Sequence, residues 1–128
     1  MSGMGLRRLT FESWEDARGW GMRPMEAAGL LGGAAGNVHV VSLTPGAVRG
    51  NHLHDAPEWV VLFGGEMEVH HRSSPTGPLQ VEKLAGSKPV LLEIPAGVPH
   101  AFINTGSGMA YLMAFSDREQ VVTRPVTI

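Results

Sequence analysis

Three histidines and one glutamate are spaced so that their side chains can meet around a single ion. His52 and His54 lie two residues apart, Glu58 follows four residues later, and His100 lies in a later segment. Because side chains alternate between the faces of an extended strand, the first three should point the same way. Pro57 interrupts this pattern, since proline cannot pair in a central strand and indicates a bend.

The chemistry of these side chains predicts a metal site. The proline and glycine residues at 95–99 predict a turn, after which an apolar strand begins at His100. Imidazole and carboxylate ligands suit zinc, iron, nickel, copper or manganese, and the chain has no cysteine to form a thiolate site. Ligand type alone does not choose among these ions. The alternative is that His52 and His54 are exposed loop residues and His100 is a hydrogen-bonded core residue.

The same residues resemble the two sequence motifs of the cupin superfamily. The first motif is matched by Gly46, His52, His54, Glu58 and Gly65. The second motif is matched by Pro95, Gly97, His100 and Asn104, with Pro89 in place of its leading glycine. The resemblance implies an all-β, cupin-type double-stranded β-helix, or jelly-roll barrel, with the three histidines and the glutamate as metal ligands. It implies much less about the reaction.

Short β-rich segments separated by glycine and proline agree with this fold. We predict strands at 37–44, 58–63, 66–71, 79–84, 90–94, 100–104 and 109–115. A series of this kind is typical of a sandwich or barrel. Residues 1–128 are predicted to form a single cupin domain, with the barrel core at about 37–116.

Segments outside the core carry weaker signals. Residues 25–31 hint at a helix, and the glycine-rich residues 32–36 predict a mobile loop. Residues 6–11 and 121–128 are apolar enough to form terminal strands. Free apolar strands of small β proteins often pair with a second subunit, so we predict a homodimer.

Composition excludes several classes of protein. The 128 residues are 43% hydrophobic with a formal net charge of −2, so a buried core is expected and a basic nucleic-acid surface is not. No apolar stretch has the length of a membrane span, and no signal peptide is evident. We therefore predict neither nucleic acid nor a membrane as a partner. The absence of cysteine is compatible with a cytoplasmic location.

A second resemblance extends over residues 16–117. Segments 16–19, 40–54 and 92–100 are similar to cupins of nucleotide-sugar metabolism, including the cupin half of bifunctional capsule-sugar reductases and, more distantly, dTDP-sugar 3,5-epimerases and 3,4-ketoisomerases. This implies that His52 or His54 transfers a proton or binds metal. It also implies that Arg49 contacts the nucleotide phosphates, which a planar guanidinium can bind at two oxygens. Those epimerases and ketoisomerases generally work without a metal and lack the glutamate, whereas Glu58 is present here.

Further candidates are weighed against ordinary structural roles. Arg49 is equally well explained as an exposed charge at a strand end. Tyr111, the only tyrosine, could act as an acid in an epimerase, although a tyrosine on a strand is more often a packed residue. Phe102 shares the parity of the last histidine and should form an apolar, substrate-contacting wall. The remaining histidines have no ligand spacing with the first set, and we expect the His70-His71 pair to be solvated.

The predicted function follows from open positions on the metal. Four protein ligands leave one or two positions free on a five- or six-coordinate ion. A small-molecule substrate bound there through a carbonyl and a hydroxyl would have its neighbouring C–H acidified. We predict a small metal-dependent isomerase or epimerase acting on a sugar or sugar nucleotide. The alternatives are an iron-dependent dioxygenase and a non-catalytic protein that binds metal or a small ligand.

Overall fold

The structure is a computed structural model that describes residues 5–24, 36–118 and 121–128. The predicted helix at 25–31 and all of the predicted mobile loop except Gly36 lie outside these residues. No helix in the described ranges is long and apolar enough to cross a membrane. The strands are β1 (Arg7–Leu9), β2 (Glu12–Asp16), β3 (Gly19–Arg23), β4 (Asn37–Leu43), β5 (Val48–His54), β6 (Glu58–Phe63), β7 (Met67–His71), β8 (Gln80–Leu84), β9 (Val90–Ile94), β10 (His100–Asn104), β11 (Ala110–Ser116) and β12 (Thr123–Pro125).

Two five-stranded antiparallel sheets form the body of the molecule. The first sheet has the order β1-β9-β6-β11-β4, and the second has the order β12-β5-β10-β7-β8. Strands β2 and β3 form a separate hairpin. The all-β architecture predicted from the sequence is confirmed.

The main core lies between the two sheets. Leu62 and Leu92 from the first sheet pack in one buried cluster with Val69 and Phe102 from the second sheet. Each such side chain contributes about 1.5–3 kcal/mol when it leaves water. A smaller cluster around Trp59 packs on partly buried side chains of the β2–β3 region. The hairpin therefore covers part of the outer face of the first sheet, and the inner faces remain for the core and the site.

The terminal strands pair within their own chain. β1 pairs with β9, and β12 pairs with β5, so each is the outermost strand of a sheet. The expectation of free terminal strands is therefore wrong, because each end finds an unpaired edge in its own barrel. The homodimer stays a prediction that no longer has this support.

A bulge in β5 sets the geometry of the site. His100 pairs with His52, but Ala101 pairs with Gly50, so Asn51 is an extra residue on β5. Gly50 and Asn51 have φ values of 107° and 57°. An extra residue reverses the alternation of side chains along a strand, so residues on opposite sides of the bulge can face the same way although their spacing is odd.

Gly50 also permits a close approach of two strands. A Cβ atom at this position would lie 2.8 Å from the His100 carbonyl oxygen and 2.9 Å from the Ala101 Cα. Both atoms belong to the backbone of β10, which cannot move away as a side chain could. Glycine at this position therefore holds β5 against the strand that carries His100.

Replacing Gly50 with alanine should destabilise the protein more than replacing Gly46. Both glycines have positive φ, at which alanine is strained by about 1–2 kcal/mol. A Cβ at Gly46 would meet nothing within 4 Å. In urea unfolding we expect the strain cost alone for Gly46→Ala and an additional loss of about 1–3 kcal/mol for Gly50→Ala. Equal losses would contradict the importance of the close approach.

Candidate active site

Three imidazole rings converge on the inner face of the second sheet. His52 and His54 come from alternate positions of β5, and His100 begins the neighbouring strand β10 opposite His52. The centroid of the His52 ring lies 4.5 Å from that of His54 and 4.7 Å from that of His100, and the centroids of the His54 and His100 rings are 5.3 Å apart. One nitrogen from each ring can be chosen so that all three lie within 4.8 Å of one another. The spacing of the sequence motif therefore does bring these residues together.

In the rings of His54 and His100, one nitrogen has a hydrogen-bond partner in the protein and the other has none. The Nδ1 atom of His54 lies 2.9 Å from the Thr123 hydroxyl, and the Nδ1 atom of His100 lies 2.9 Å from the Val98 carbonyl oxygen. Both Nε2 atoms are buried without a hydrogen-bond partner. Because a carbonyl only accepts, neutral His100 donates from Nδ1 and keeps its lone pair on Nε2. This is the usual arrangement of a histidine that ligates a metal, so these donors fit a divalent ion.

Glu58 lies beside this cluster. Its Oε2 atom is 3.6 Å from the Nε2 atom of His54, and the side chain is buried. Among the described residues, the ligand atoms that lie within 4.8 Å of one another belong to His52, His54 and His100, and the Glu58 carboxylate is not among them. Burial alone would raise the pKa of the Glu58 carboxyl, but attraction to His54, His100 and His39 outweighs it and lowers that pKa. The carboxylate is therefore the negative charge of the site.

Burial favours the neutral form of two imidazoles of the cluster, His100 and His52. It lowers the pKa of His100 to about 4, assisted by the neighbouring His52 and His54 and opposed by the Val98 carbonyl and Glu58. Burial also lowers the pKa of His52, with repulsion from His54 acting in the same direction. Neutral rings have the free lone pairs that ligation of a metal requires.

A cavity of about 310 Å³ opens onto the cluster and is lined by both sheets. From the first sheet it receives His39, Val41, Glu58, Val60, Leu112 and Ala114. From the second sheet it receives Arg49, Gly50, His52, His54, Phe102 and Thr123. The apolar lining reduces the local dielectric constant and strengthens electrostatic interactions with a bound molecule.

Arg49 and Phe102 are both placed at this cavity. Arg49 lies three residues before His52, and the β5 bulge turns both toward the same space. Its Nε atom donates a hydrogen bond to the Ser42 carbonyl oxygen at 2.9 Å, which orients the guanidinium group. The Phe102 ring lies 5.5 Å from the His100 ring and forms an apolar wall.

Tyr111 is placed elsewhere. Its ring stacks on Phe63 at a centroid distance of 5.6 Å, whereas its neighbour Leu112 lines the cavity. Since adjacent residues of a strand point to opposite faces, Tyr111 lies on the outer face of the first sheet. The geometry therefore corrects its assignment as an acid in this cavity and favours the packed alternative.

Two residues of the site, His39 and Thr123, were not predicted from the sequence, and His71, outside the site, was predicted wrongly. His39 lines the cavity from β4, and the available signal was that it shares a strand face with Val41, two residues along. Thr123 reaches His54 across 69 positions of sequence, and nothing in its local pattern indicates this contact. His71 is buried and lies 3.2 Å from Glu82, contrary to the expectation that the His70-His71 pair is solvated.

The sequence matches the family described as the polysaccharide biosynthesis C-terminal domain over residues 15–128. The chain therefore belongs to this family. A comparison with curated proteins gives no significant match.

Solved structures share the fold. A dTDP sugar isomerase from Desulfovibrio desulfuricans G20 matches with a TM-score of 0.75 and 17% identity over 97% of this chain and 86% of that chain. QdtA, a sugar 3,4-ketoisomerase from Thermoanaerobacterium thermosaccharolyticum in complex with TDP, matches with a TM-score of 0.67 and 17% identity over 86% of this chain and 80% of that chain. The capsular polysaccharide assembling protein CapF from Staphylococcus aureus matches with a TM-score of 0.66 and 20% identity over 93% of this chain and 35% of that chain. The chain thus spans about a third of the length of CapF, and the predicted cupin-type barrel is confirmed.

Metal-free protein should lose stability as the pH falls from about 6.5 toward 4. The folded state holds the pKa of His100 at about 4, below the value near 6.5 of an unfolded chain. Within this window the unfolded state binds more protons, so acid favours unfolding. Burial lowers the pKa of His52 as well, so this residue also makes the folded state less stable as the pH falls. Melting temperatures measured in a chelator should fall across this range, and the slope should be shallower in His100→Leu.

The matched control for this experiment is His70→Leu. His70 is half-buried and lies 3.0 Å from Glu68, away from the cavity. This variant should keep the slope of the unaltered protein. A His100→Leu slope equal to that of the control would contradict the assignment.

Proposed function

We propose that this domain holds one divalent metal ion with His52, His54, His100 and Glu58 and isomerises or epimerises a keto sugar nucleotide. The observation that carries the proposal is the buried cluster of three imidazoles, two with unpartnered Nε2 atoms, at a cavity that also holds a carboxylate. The bound metal would supply a Lewis acid that polarises a substrate carbonyl. Zinc, iron, nickel and manganese all suit this donor set.

Family membership and fold support a sugar substrate. The chain belongs to a polysaccharide biosynthesis family, and proteins named sugar isomerase and sugar ketoisomerase share its fold. The ketoisomerase was solved with TDP bound. We carry the sugar-nucleotide class over to this chain because its own cavity places the histidine cluster, which could hold a carbonyl-polarising metal, near the cationic Arg49.

The size and lining of the cavity suit a substrate whose sugar ring lies inside the cavity and whose nucleotide lies outside it. A volume of about 310 Å³ lies at the lower end of the range for small-molecule sites, roughly 300–1,000 Å³. It accommodates the sugar ring, and the nucleotide extends outward. Arg49 is then positioned for the diphosphate, which its guanidinium binds through charge-assisted hydrogen bonds. Phe102, Val60 and Leu112 pack against the ring and exclude water from the reacting carbons.

The metal ligands can be tested by elemental analysis. Purified protein should contain about one divalent ion per chain, and His52→Ala should lose most of it. Even loss of a supporting residue typically lowers metal affinity by about 10–100-fold, so loss of a ligand should cost at least as much. The control is His70→Ala, which should retain its metal. Equal metal content in the two variants would contradict the proposed ligand set.

Turnover can be followed by NMR. The metal-loaded protein should convert TDP-4-keto-6-deoxyglucose, a ligand of a QdtA variant structure, into an isomer with new sugar signals. In deuterated water, deuterium should enter at a carbon next to the keto group. His52→Ala should slow both by about 100-fold or more, since a Lewis acid contributes several kcal/mol to such a step.

Other outcomes identify the other functions predicted from the sequence. Failure to convert any 4-keto sugar nucleotide would contradict the isomerase proposal. Oxygen uptake by the iron-loaded protein would instead indicate a dioxygenase. Tight metal binding with no turnover of either kind would indicate a binding protein.

A further inference from the structure

We propose that His39 is the residue that removes and returns the carbon-bound proton of the substrate. The inference rests on the proposed function, and it assigns a catalytic residue outside the metal cluster. Its basis is position: His39 faces the cavity from the sheet opposite the three clustered histidines.

His39 lies on β4, at the edge of the first sheet. It lines the main cavity together with Val41, two positions along the same strand, and Ala114, its pairing partner on β11. It also lines a smaller adjoining cavity of about 130 Å³. A sugar ring held against the cluster would therefore have His39 on its other side.

The other histidines are committed elsewhere. His52, His54 and His100 form the cluster and would share their lone pairs with a metal. His70 and His71 contact Glu68 and Glu82, and neither lines the cavity. Among the chain's histidines, all of which the structure describes, His39 is the one that combines access to the cavity with a ring outside the cluster.

The local hydrogen bond favours the tautomer that a base needs. The Nδ1 atom of His39 lies 3.4 Å from the Asn37 Oδ1 atom. A neutral ring that donates from Nδ1 to this oxygen has its lone pair on Nε2. Nε2 is then the nitrogen that can take a proton from a substrate.

Glu58 is the acidic group that shares the cavity with His39. It lies on β6 of the same sheet and lines the same two cavities as His39. From the second sheet, His54 lines both cavities as well, and its Nδ1 atom lies 2.9 Å from the Thr123 hydroxyl. The proposed base thus shares the cavity with groups that would hold the metal, without being one of them.

The proposed step is enolisation of the keto sugar. The C–H bond next to the carbonyl breaks and its proton passes to His39 Nε2. The electron pair of that bond becomes the C=C bond of an enolate, and the negative charge moves to the former carbonyl oxygen. For isomerisation, the imidazolium returns the proton to the former carbonyl carbon, the neighbouring hydroxyl proton passes to the former carbonyl oxygen, and neutral His39 is regenerated. Where a water molecule protonates the other ring face instead, the hydroxide that remains takes the proton from the imidazolium.

The test compares His39→Gln and His39→Asn with the control His70→Gln. Deuterium entry and turnover of TDP-4-keto-6-deoxyglucose should fall by about 100-fold or more in both His39 variants, the usual contribution of a positioned base. Metal content and KM should stay within about twofold of the unaltered protein. The acid limb of the kcat/KM profile against pH should disappear from the residual activity. The control should match the unaltered protein in every measurement.

Chemical labelling gives a readout that does not depend on turnover. Diethyl pyrocarbonate modifies accessible histidines, and peptide mass analysis reports each site. TDP-4-keto-6-deoxyglucose at saturating concentration should protect His39 and leave the labelling of His70 unchanged. Protection requires only that the sugar occupies the cavity.

The outcomes separate this inference from the function on which it rests. Deuterium entry at the normal rate in His39→Gln, or labelling of His39 that the bound sugar nucleotide does not reduce, would overturn the role of His39 and leave the isomerase proposal standing. Absence of turnover in the unaltered protein, with the ligand bound, would overturn both. Loss of metal from the His39 variants would also overturn it, since it would place His39 among the groups that hold the ion.

Discussion

The arrangement of the site depends on burying imidazole nitrogens that have no protein partner. The Nε2 atoms of His54 and His100 both lie in the interior without a hydrogen bond to the protein. An unpaired polar atom of this kind typically costs about 1–3 kcal/mol, a large fraction of the net stability of a domain. The apolar core between the sheets offsets that cost. A bound ion that accepts both lone pairs would convert it into stabilisation, which is the physical basis of the metal proposal.

The two sheets contribute different chemistry to one space. The second sheet carries the imidazole cluster and Arg49, and the first sheet carries Glu58 and His39. Neither sheet alone forms the cavity, so the site depends on how they pack. The β5 bulge adds a second requirement, because it directs Arg49 toward the cavity that His52 faces. Barrel closure and one extra residue therefore determine which side chains a substrate can meet.

Local pattern was sufficient for the strands and for the clustered histidines. Strands predicted at 58–63, 90–94 and 100–104 have those bounds in the structure, those at 37–44, 66–71 and 79–84 differ by one residue at one end, and that at 109–115 differs by one residue at each end. The terminal strands are shorter than the predicted 6–11 and 121–128. His52 and His54 could be predicted because strand alternation is a local property. The hairpin of β2 and β3 was not predicted, since its largely exposed residues lack the alternation that burial imposes.

Contacts between distant elements could not be read from the sequence. Thr123 approaches His54 because β12 pairs with β5, and the sequence favoured pairing of that terminal strand with another subunit. His39 has no ligand spacing with the motif, so only the packing of the two sheets places it at the cavity. Arg49 was selected by resemblance rather than by parity, because simple alternation from His52 would have pointed it away.

Glu58 connects the two proposals. Glu58 is buried beside the histidine cluster and lines the cavity. A divalent ion bound by neutral rings and one carboxylate would keep a net positive charge, which attracts an enolate oxygen. One buried carboxylate on the first sheet would thus complete the ligand set of the second sheet, in the same cavity as the proposed base.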